Sequence, residues 1–168
     1  MPPFEDYALR GHTYRYLEKE PLYPFGFGLS YTRFEYSALA LGRDRAEIGS
    51  ELAIPVTVEV KNRGGAASDE VVQLYVRDVE SSVQVPHHEL RAFRRLHLAP
   101  GARARVDFTL TARALSLIDD SGRRLLEPGR FQIFVGGSQP DARSIALLGV
   151  APLVAELELT GARLELPY

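Results

Sequence analysis

The chain has 168 residues, enough for one domain or one domain with an arm. It is 45% hydrophobic and 25% charged, and 20 basic against 22 acidic residues leave a net charge of −2, which excludes a generally basic nucleic-acid binder and a polybasic membrane binder. There is no cysteine, no apolar run near the roughly 18–20 residues of a membrane helix, and no leader is expected from Met1-Pro2-Pro3-Phe4-Glu5-Asp6, which has neither a basic start nor an apolar stretch.

Aromatic residues crowd the N-terminus. Of 16 Phe and Tyr residues, ten lie in the first 36 positions. Residues 1–33 also hold Pro2, Pro3, Pro21, Pro24, Gly11, Gly26 and Gly28. Proline and glycine at this density oppose a long helix or a central strand, so an extended, irregular arm is expected. Such an arm buries its rings only by lying across another surface.

From about Phe34 the pattern changes. Leu52, Ile54, Val56, Val58 and Val60 alternate, as in a half-buried strand. Pro55 points to the other face and favours an edge position or a bulge. Asn62-Arg63-Gly64-Gly65 is a turn signal. Further alternating runs follow at Val71–Asp78, Ala104–Leu110 and Phe131–Val135. Leu90, Phe93, Leu96 and Leu98 mix spacings of three and two, and strand neighbours favour a bulged strand over Glu89–Leu98. One helical turn is expected within Ala112–Leu117. Asp119-Asp120-Ser121-Gly122 joins Leu117-Ile118 to Leu125-Leu126 as a hairpin. Short strands are expected around Ile145–Val150, Val154–Leu159 and Ala162–Leu166. The whole predicts an all-β, antiparallel β-sandwich, with an arm over residues 1–33, a sandwich over 34–150 and a tail of added strands over 151–168.

Chemistry is sparse. A glycosidase needs two carboxylates about 5–10 Å apart across a cleft. Glu5-Asp6, Glu18/Glu20, Asp69-Glu70 and Asp119-Asp120 fall in turns or at strand ends and read as solvated acids. His87-His88-Glu89 is the nearest approach to a metal cluster, but adjacent strand residues point to opposite faces, and a polar loop is expected. His97 should face solvent. Gly26-Phe27-Gly28 lacks the third glycine and the helix of a dinucleotide site, and Gly28-Leu29-Ser30 lacks the closing glycine of a nucleophile elbow. Arg91, Arg94, Arg95, Arg103 and Arg105 suggest a basic stripe. Arg is this protein's default cation, however, with Lys only at positions 19 and 61, and a solvated face with local ion pairs is expected. No tryptophan is available for a flat sugar-binding platform.

Three stretches carry a likeness. Pro2-Pro3-Phe4-Glu5-Asp6-Tyr7, Thr13-Tyr14-Arg15-Tyr16, and the run from Pro21-Leu22-Tyr23-Pro24 through Phe25-Gly26-Phe27-Gly28-Leu29-Ser30-Tyr31 to Phe34 resemble glycoside hydrolase family 3, where that family's α/β-sandwich domain leads into its C-terminal fibronectin type III-like domain. Asp69–Val76, Glu89–Phe93 and Glu127–Phe131 are similar to stretches of that domain. The likeness covers roughly residues 2–138, and His12 stands where the family more often has Arg.

The resemblance implies a fibronectin type III-like, immunoglobulin-like sandwich and a parent that hydrolyses terminal β-glycosides with retention. The family's nucleophilic Asp and its acid/base Glu lie in other domains, and neither motif is present here, so no catalytic residue is carried over and this chain alone is expected not to be an enzyme. No metal or organic cofactor is implied. The expected partners are the catalytic domains, contacted through Tyr14, Tyr16, Pro24, Phe25, Gly26, Phe27, Gly28 and Tyr31. Self-association through the arm and weak polysaccharide contact are further expectations, and the alternative function is a carbohydrate- or surface-binding module that aids capture of polymeric substrate; nucleic acid and membrane are not expected.

Overall fold

Valine and isoleucine at every second position build the centre of the molecule. A computed structural model describes residues 11–167. The Pro2–Tyr7 stretch, with the Glu5-Asp6 pair, lies outside the described residues. In chain order the elements begin with α1 (Thr13–Tyr16), β1 (Phe34–Leu41), β2 (Arg45–Glu47), β3 (Ala53–Asn62), β4 (Ser68–Asp78), β5 (Glu89–Leu98) and β6 (Arg103–Thr111). They continue with α2 (Ala112–Leu115), β7 (Leu117–Ile118), β8 (Arg124–Leu126), β9 (Gly129–Gly136), α3 (Ala142–Leu148), β10 (Leu153–Thr160) and β11 (Leu164–Leu166).

Two main sheets enclose one core, giving the expected all-β sandwich. One sheet has the order β1-β3-β6, the other β2-β10-β9-β4-β5; β11, β8 and β7 form a small third sheet. Ile54, Val56, Val58 and Val60 of β3 are at most 1% exposed. They join Val106, Phe108 and Leu110 of β6, and across the core Val72, Leu74, Phe131, Ile133, Val135, Leu157 and Leu159. Branching at Cβ suits the pleated strand, and each buried Val, Leu or Ile contributes about 1.5–3 kcal/mol.

Local expectations hold at three places. In β5, Leu74 faces Ala92 and Tyr75 faces Leu90, so Arg91 is the extra residue of a bulge. The Asp119–Gly122 turn closes the β7–β8 hairpin, where Asp119 Oδ1 accepts the N–H groups of Ser121 (3.0 Å) and Arg123 (2.9 Å). The single helical turn is α2, capped by Thr111.

Five expectations are corrected. Around Ile145 the chain is helical, not extended: Asp141 caps α3 by accepting from Ser144 N (2.6 Å), and Gly149 ends it at φ 69°. β3 is central, not an edge, despite Pro55. The Pro55 carbonyl accepts from Gly42 N (2.8 Å), so the proline nitrogen faces the same side, beyond the last residue of β1 at Leu41. The sandwich is not wholly antiparallel, because the short β2 pairs parallel to β10. Glu70 is not a solvated turn acid: it lies half-buried and accepts the hydroxyl of Tyr36, and burial raises its pKa. His88 is not in an open polar loop but is buried.

Asn62 ends β3 and is fully buried. Its amide donates to Ala66 O (2.8 Å) and to Leu98 O (2.9 Å) at the end of β5. Its Oδ1 accepts from Gly64 N (3.0 Å) and from Thr32 Oγ1 (2.5 Å). One side chain thus ties the β3–β4 turn, the opposite sheet and the preceding arm. Asn62→Ala leaves these buried groups without partners and should lower unfolding free energy by about 1–3 kcal/mol, read from denaturant midpoints at unchanged slope.

Candidate interdomain surface

The arm lies across the outer face of the five-stranded sheet. The sequence suggested that β4 alternates, but Val72 through Val76 are all buried. Val72, Leu74 and Val76 face the core. Gln73 and Tyr75 face outward and are 4% and 0% exposed because the arm and the loop before β5 cover them.

Polar bonds fix the arm's backbone. Gln73 Nε2 donates to Gly26 O (3.1 Å) and to Gly137 O (2.7 Å), and its Oε1 accepts from the Tyr75 hydroxyl (2.6 Å). Gln139 N donates to Phe25 O (3.1 Å) and His87 N to Arg15 O (2.8 Å). Further along, Ser30 Oγ donates to Ser68 Oγ (3.0 Å) and Arg63 N to Arg33 O (2.7 Å). Near the start, Arg15 pairs with Glu89 (2.8 Å).

Rings complete the dock. Tyr14 and Phe25 stack at 4.0 Å with planes 11° apart. The Tyr14 hydroxyl accepts from Leu90 N (3.3 Å). His88 sits between Tyr14 (6.2 Å) and the edge of Tyr75 (5.7 Å). Burial lowers its pKa, partly offset by Gln139 and Asp141, while His87 and Arg77 push the same way as burial. Its Nε2 is buried and lacks an acceptor or donor.

The eight expected contact residues divide. Tyr14, Pro24 and Gly26 are committed to the sandwich, Pro24 being buried. Gly26 adopts φ 76°, and a Cβ there would overlap Gln73. Phe25 stacks on Tyr14 yet remains 42% exposed. Phe27 is half-buried and stacks on Tyr23 (5.7 Å), and Tyr16 is half-buried. Gly28 is exposed, and among the described residues nothing lies within 4 Å of an added Cβ. Tyr31 is wholly exposed. Leu22 (82%) and Leu29 (90%) are equally bare, and sequence reasoning passed over them because it counted rings, not aliphatic side chains. By register, Phe93, paired with Gln73, adds a further exposed ring on the same sheet face.

Other candidate chemistry has local uses. Asp69 binds Arg95 and His97 on the surface, which holds its carboxyl below the usual range. Arg95, Arg103 and Arg105 pair with Asp69, Glu59 and Asp107, so these members of the basic stripe lie on a face of ion pairs, whereas Arg91 is mostly buried beside Glu89. Among the described residues, no group of three or more His, Cys, Asp or Glu is placed to hold a metal ion.

A family model for the fibronectin type III-like domain matches residues 70–139. This stretch runs from Glu70 through β9 to Gln139 and contains Gln73, Tyr75, His87, His88 and Leu90, against which the first part of the arm docks. The chain is 44% identical over 132 residues to thermostable beta-glucosidase B of Acetivibrio thermocellus, covering 76% of this chain and 17% of that protein. It is 41% identical over 136 residues to a beta-xylosidase of Formosa agariphila, covering 80% and 18%. The crystal structure of beta-glucosidase from Listeria innocua in complex with glucose superposes with a TM-score of 0.73 at 34% identity, over 87% of this chain and 19% of that one. This chain carries the fibronectin type III-like domain of glycoside hydrolase family 3. It spans less than a fifth of the length of these relatives, and that part is the non-catalytic domain. A second structure of the Listeria innocua enzyme, with gluconolactone, matches over 96% of the chain, so the likeness extends across the arm as well as the fibronectin type III-like sandwich.

Two outcomes follow from the dock. Gly26→Ala should cost about 1–3 kcal/mol from its left-handed backbone and the Gln73 overlap, and should speed proteolysis and amide exchange within residues 11–33 while β3 and β6 stay protected. For His88 the folded pKa lies below the ordinary 6.5, so the unfolded state binds more protons. The stability it contributes is complete above 6.5 and is lost as pH falls from there through the lower folded-state pKa. His88→Phe should flatten this acid limb of a thermal-unfolding pH profile.

Proposed function

We propose that this chain is an accessory domain that stabilises the catalytic domains of a β-glucosidase-type glycosidase through its arm. The parent would hydrolyse terminal β-glycosides with retention, as the family likeness implies. In this reading residues 1–33 are the connecting arm, residues 34–150 the sandwich, and residues 151–168 supply its last strands. The observation that carries the reading is the two-sidedness of the arm. One side is fastened to the sandwich at Tyr14, Phe25 and Gly26, while Leu29 and Tyr31 stand 90% and 100% exposed beside them. A segment held in place with its apolar side chains bare is suited to receive a second surface. Burying each at about 25 cal/mol per Å² would contribute up to a few kcal/mol.

Without the catalytic domains, the same side chains offer a surface for a second copy, and we expect concentration-dependent self-association of the isolated chain. Polysaccharide capture has less support. The described tyrosines on the sheets, Tyr36 and Tyr75, are half-buried and buried, so no row of sheet tyrosines is presented.

The test is reconstitution. The chain is mixed with the catalytic part of a parent enzyme from which the matching domain has been removed, and association, thermal stability and aryl-β-glucoside turnover are followed. The mixture should associate and gain stability or activity. The double substitution Leu29→Ser, Tyr31→Ser should weaken association at least about tenfold without changing the chain's own unfolding midpoint. No association, together with glucan binding by the chain alone, would overturn the proposal.

A further inference from the structure

The chain is 25% charged, yet two runs of 12 residues, 21–32 and 144–155, hold no Asp, Glu, Lys, Arg or His, and they are the longest such runs in the sequence. The first lies in the arm. The second makes up most of α3, the turn after it and the start of β10. The fold sets the two side by side. Arg143, one residue before the second run, donates from Nε to Leu22 O (3.3 Å) and pairs with Glu20, one residue before the first (3.6 Å). Gln139 N, just ahead of α3, donates to Phe25 O (3.1 Å). By register Val154 pairs with Phe134 and Phe134 with Tyr75, so Val154 shares the sheet face that the arm crosses.

The corner where α3 turns into β10 is firmly built and bare. Asp141 caps α3, Gly149 N closes it onto Ile145 O (2.8 Å), and the Ser144 hydroxyl is buried against that of Ser138 (2.7 Å). Ile145 and Leu148, three apart and so on one side of the helix, are each 40% exposed. Val150 and Val154 are 56% and 55% exposed. One exposed apolar side chain needs no explanation. Four on a charge-free stretch, adjoining a second charge-free stretch, form a patch suited to a partner.

We propose that the α3–β10 corner is a second docking surface, continuous with the arm, and that one occupant, the catalytic part of the parent glycosidase, covers both. The proposal rests on the accessory-domain reading and extends it from the arm to the sandwich itself. Area selects the occupant. At roughly 150–200 Å² for a fully bared large side chain, the exposed Leu22, Tyr23, Phe25, Leu29 and Tyr31 of the arm offer roughly 700 Å², and the corner adds roughly 300 Å². About 1,000 Å² on one partner exceeds the roughly 800 Å² of a standard complex and reaches the size at which permanent interfaces begin. In the Acetivibrio thermocellus relative the matching part is 17% of the protein, so a partner large enough to span arm and corner is tethered to it there. The face that meets the two runs should itself be uncharged, because a charge buried against either would find no countercharge within it.

The experiment is hydroxyl-radical footprinting of the full-length glycosidase that carries this domain, set against the isolated 168-residue chain at low concentration. Oxidation of Ile145, Leu148 and Val150 should fall severalfold in the full-length protein, together with that of Tyr31. A fall at Tyr31 but not at the corner overturns this proposal and leaves the accessory-domain reading standing. A fall at neither overturns both. Protection of the corner that grows with concentration in the isolated chain, and is absent from the full-length protein, gives the corner to a second copy and overturns the proposal. As a second measurement, Leu148→Ser combined with Val150→Ser should lower the unfolding temperature of the full-length protein by about 2 °C or more and leave that of the isolated chain within about 1 °C. An equal fall in both would mean that the corner serves only the packing of the sandwich, and would overturn the proposal as well.

Discussion

The structure turns on the outer face of β4. A central strand with both faces covered needs a second layer, and here the arm supplies part of it. Gln73 is the join. Its buried amide is satisfied only when Gly26 O and Gly137 O are both in place, and its carbonyl is held by Tyr75. Removing the arm would leave an uncompensated donor and uncover Tyr75, a residue with no exposed surface. The arm and the sandwich are for this reason one energetic unit, although their compositions differ.

This coupling gives the arm its two-sided character. Backbone bonds at Arg15, Phe25, Gly26 and Arg33 set where it runs, and the Tyr14–Phe25 stack sets which side turns inward. The other side then presents Leu22, Leu29 and Tyr31. A mobile arm with the same residues would have to order them on meeting a partner, at a cost in conformational entropy. A docked arm has met that cost on folding. The likeness to family 3 enzymes over almost the whole chain is consistent with an arm whose path belongs to the domain.

Polar chemistry is distributed by burial. On the surface, Arg95–Asp69, Arg105–Asp107 and Arg63–Glu35 are exposed pairs of the kind that contribute little. Inside, Asn62, Gln73 and the Tyr36–Glu70 pair join segments distant in sequence, and each would be costly to leave unpaired. Arg91 belongs with the buried groups, which sets it apart from the other arginines of the β5–β6 stripe.

Period-two patterning in the sequence determined the main strands and the all-β class, because alternation acts locally. The hairpin at Asp119–Gly122 and the bulge in β5 were legible for the same reason. The helix after Asp141 was legible too, in its Asp cap and Gly149 stop, but the short apolar run around Ile145 suits either structure. Only the tertiary fold decided that Pro55 can sit in a central strand, since that depends on where β1 ends. The same is true of the burial of His88 and Glu70 and the division of the arm's apolar residues into docked and bare. A side chain's neighbours across a sheet or beneath an arm come from residues tens of positions away, and local pattern carries no record of them.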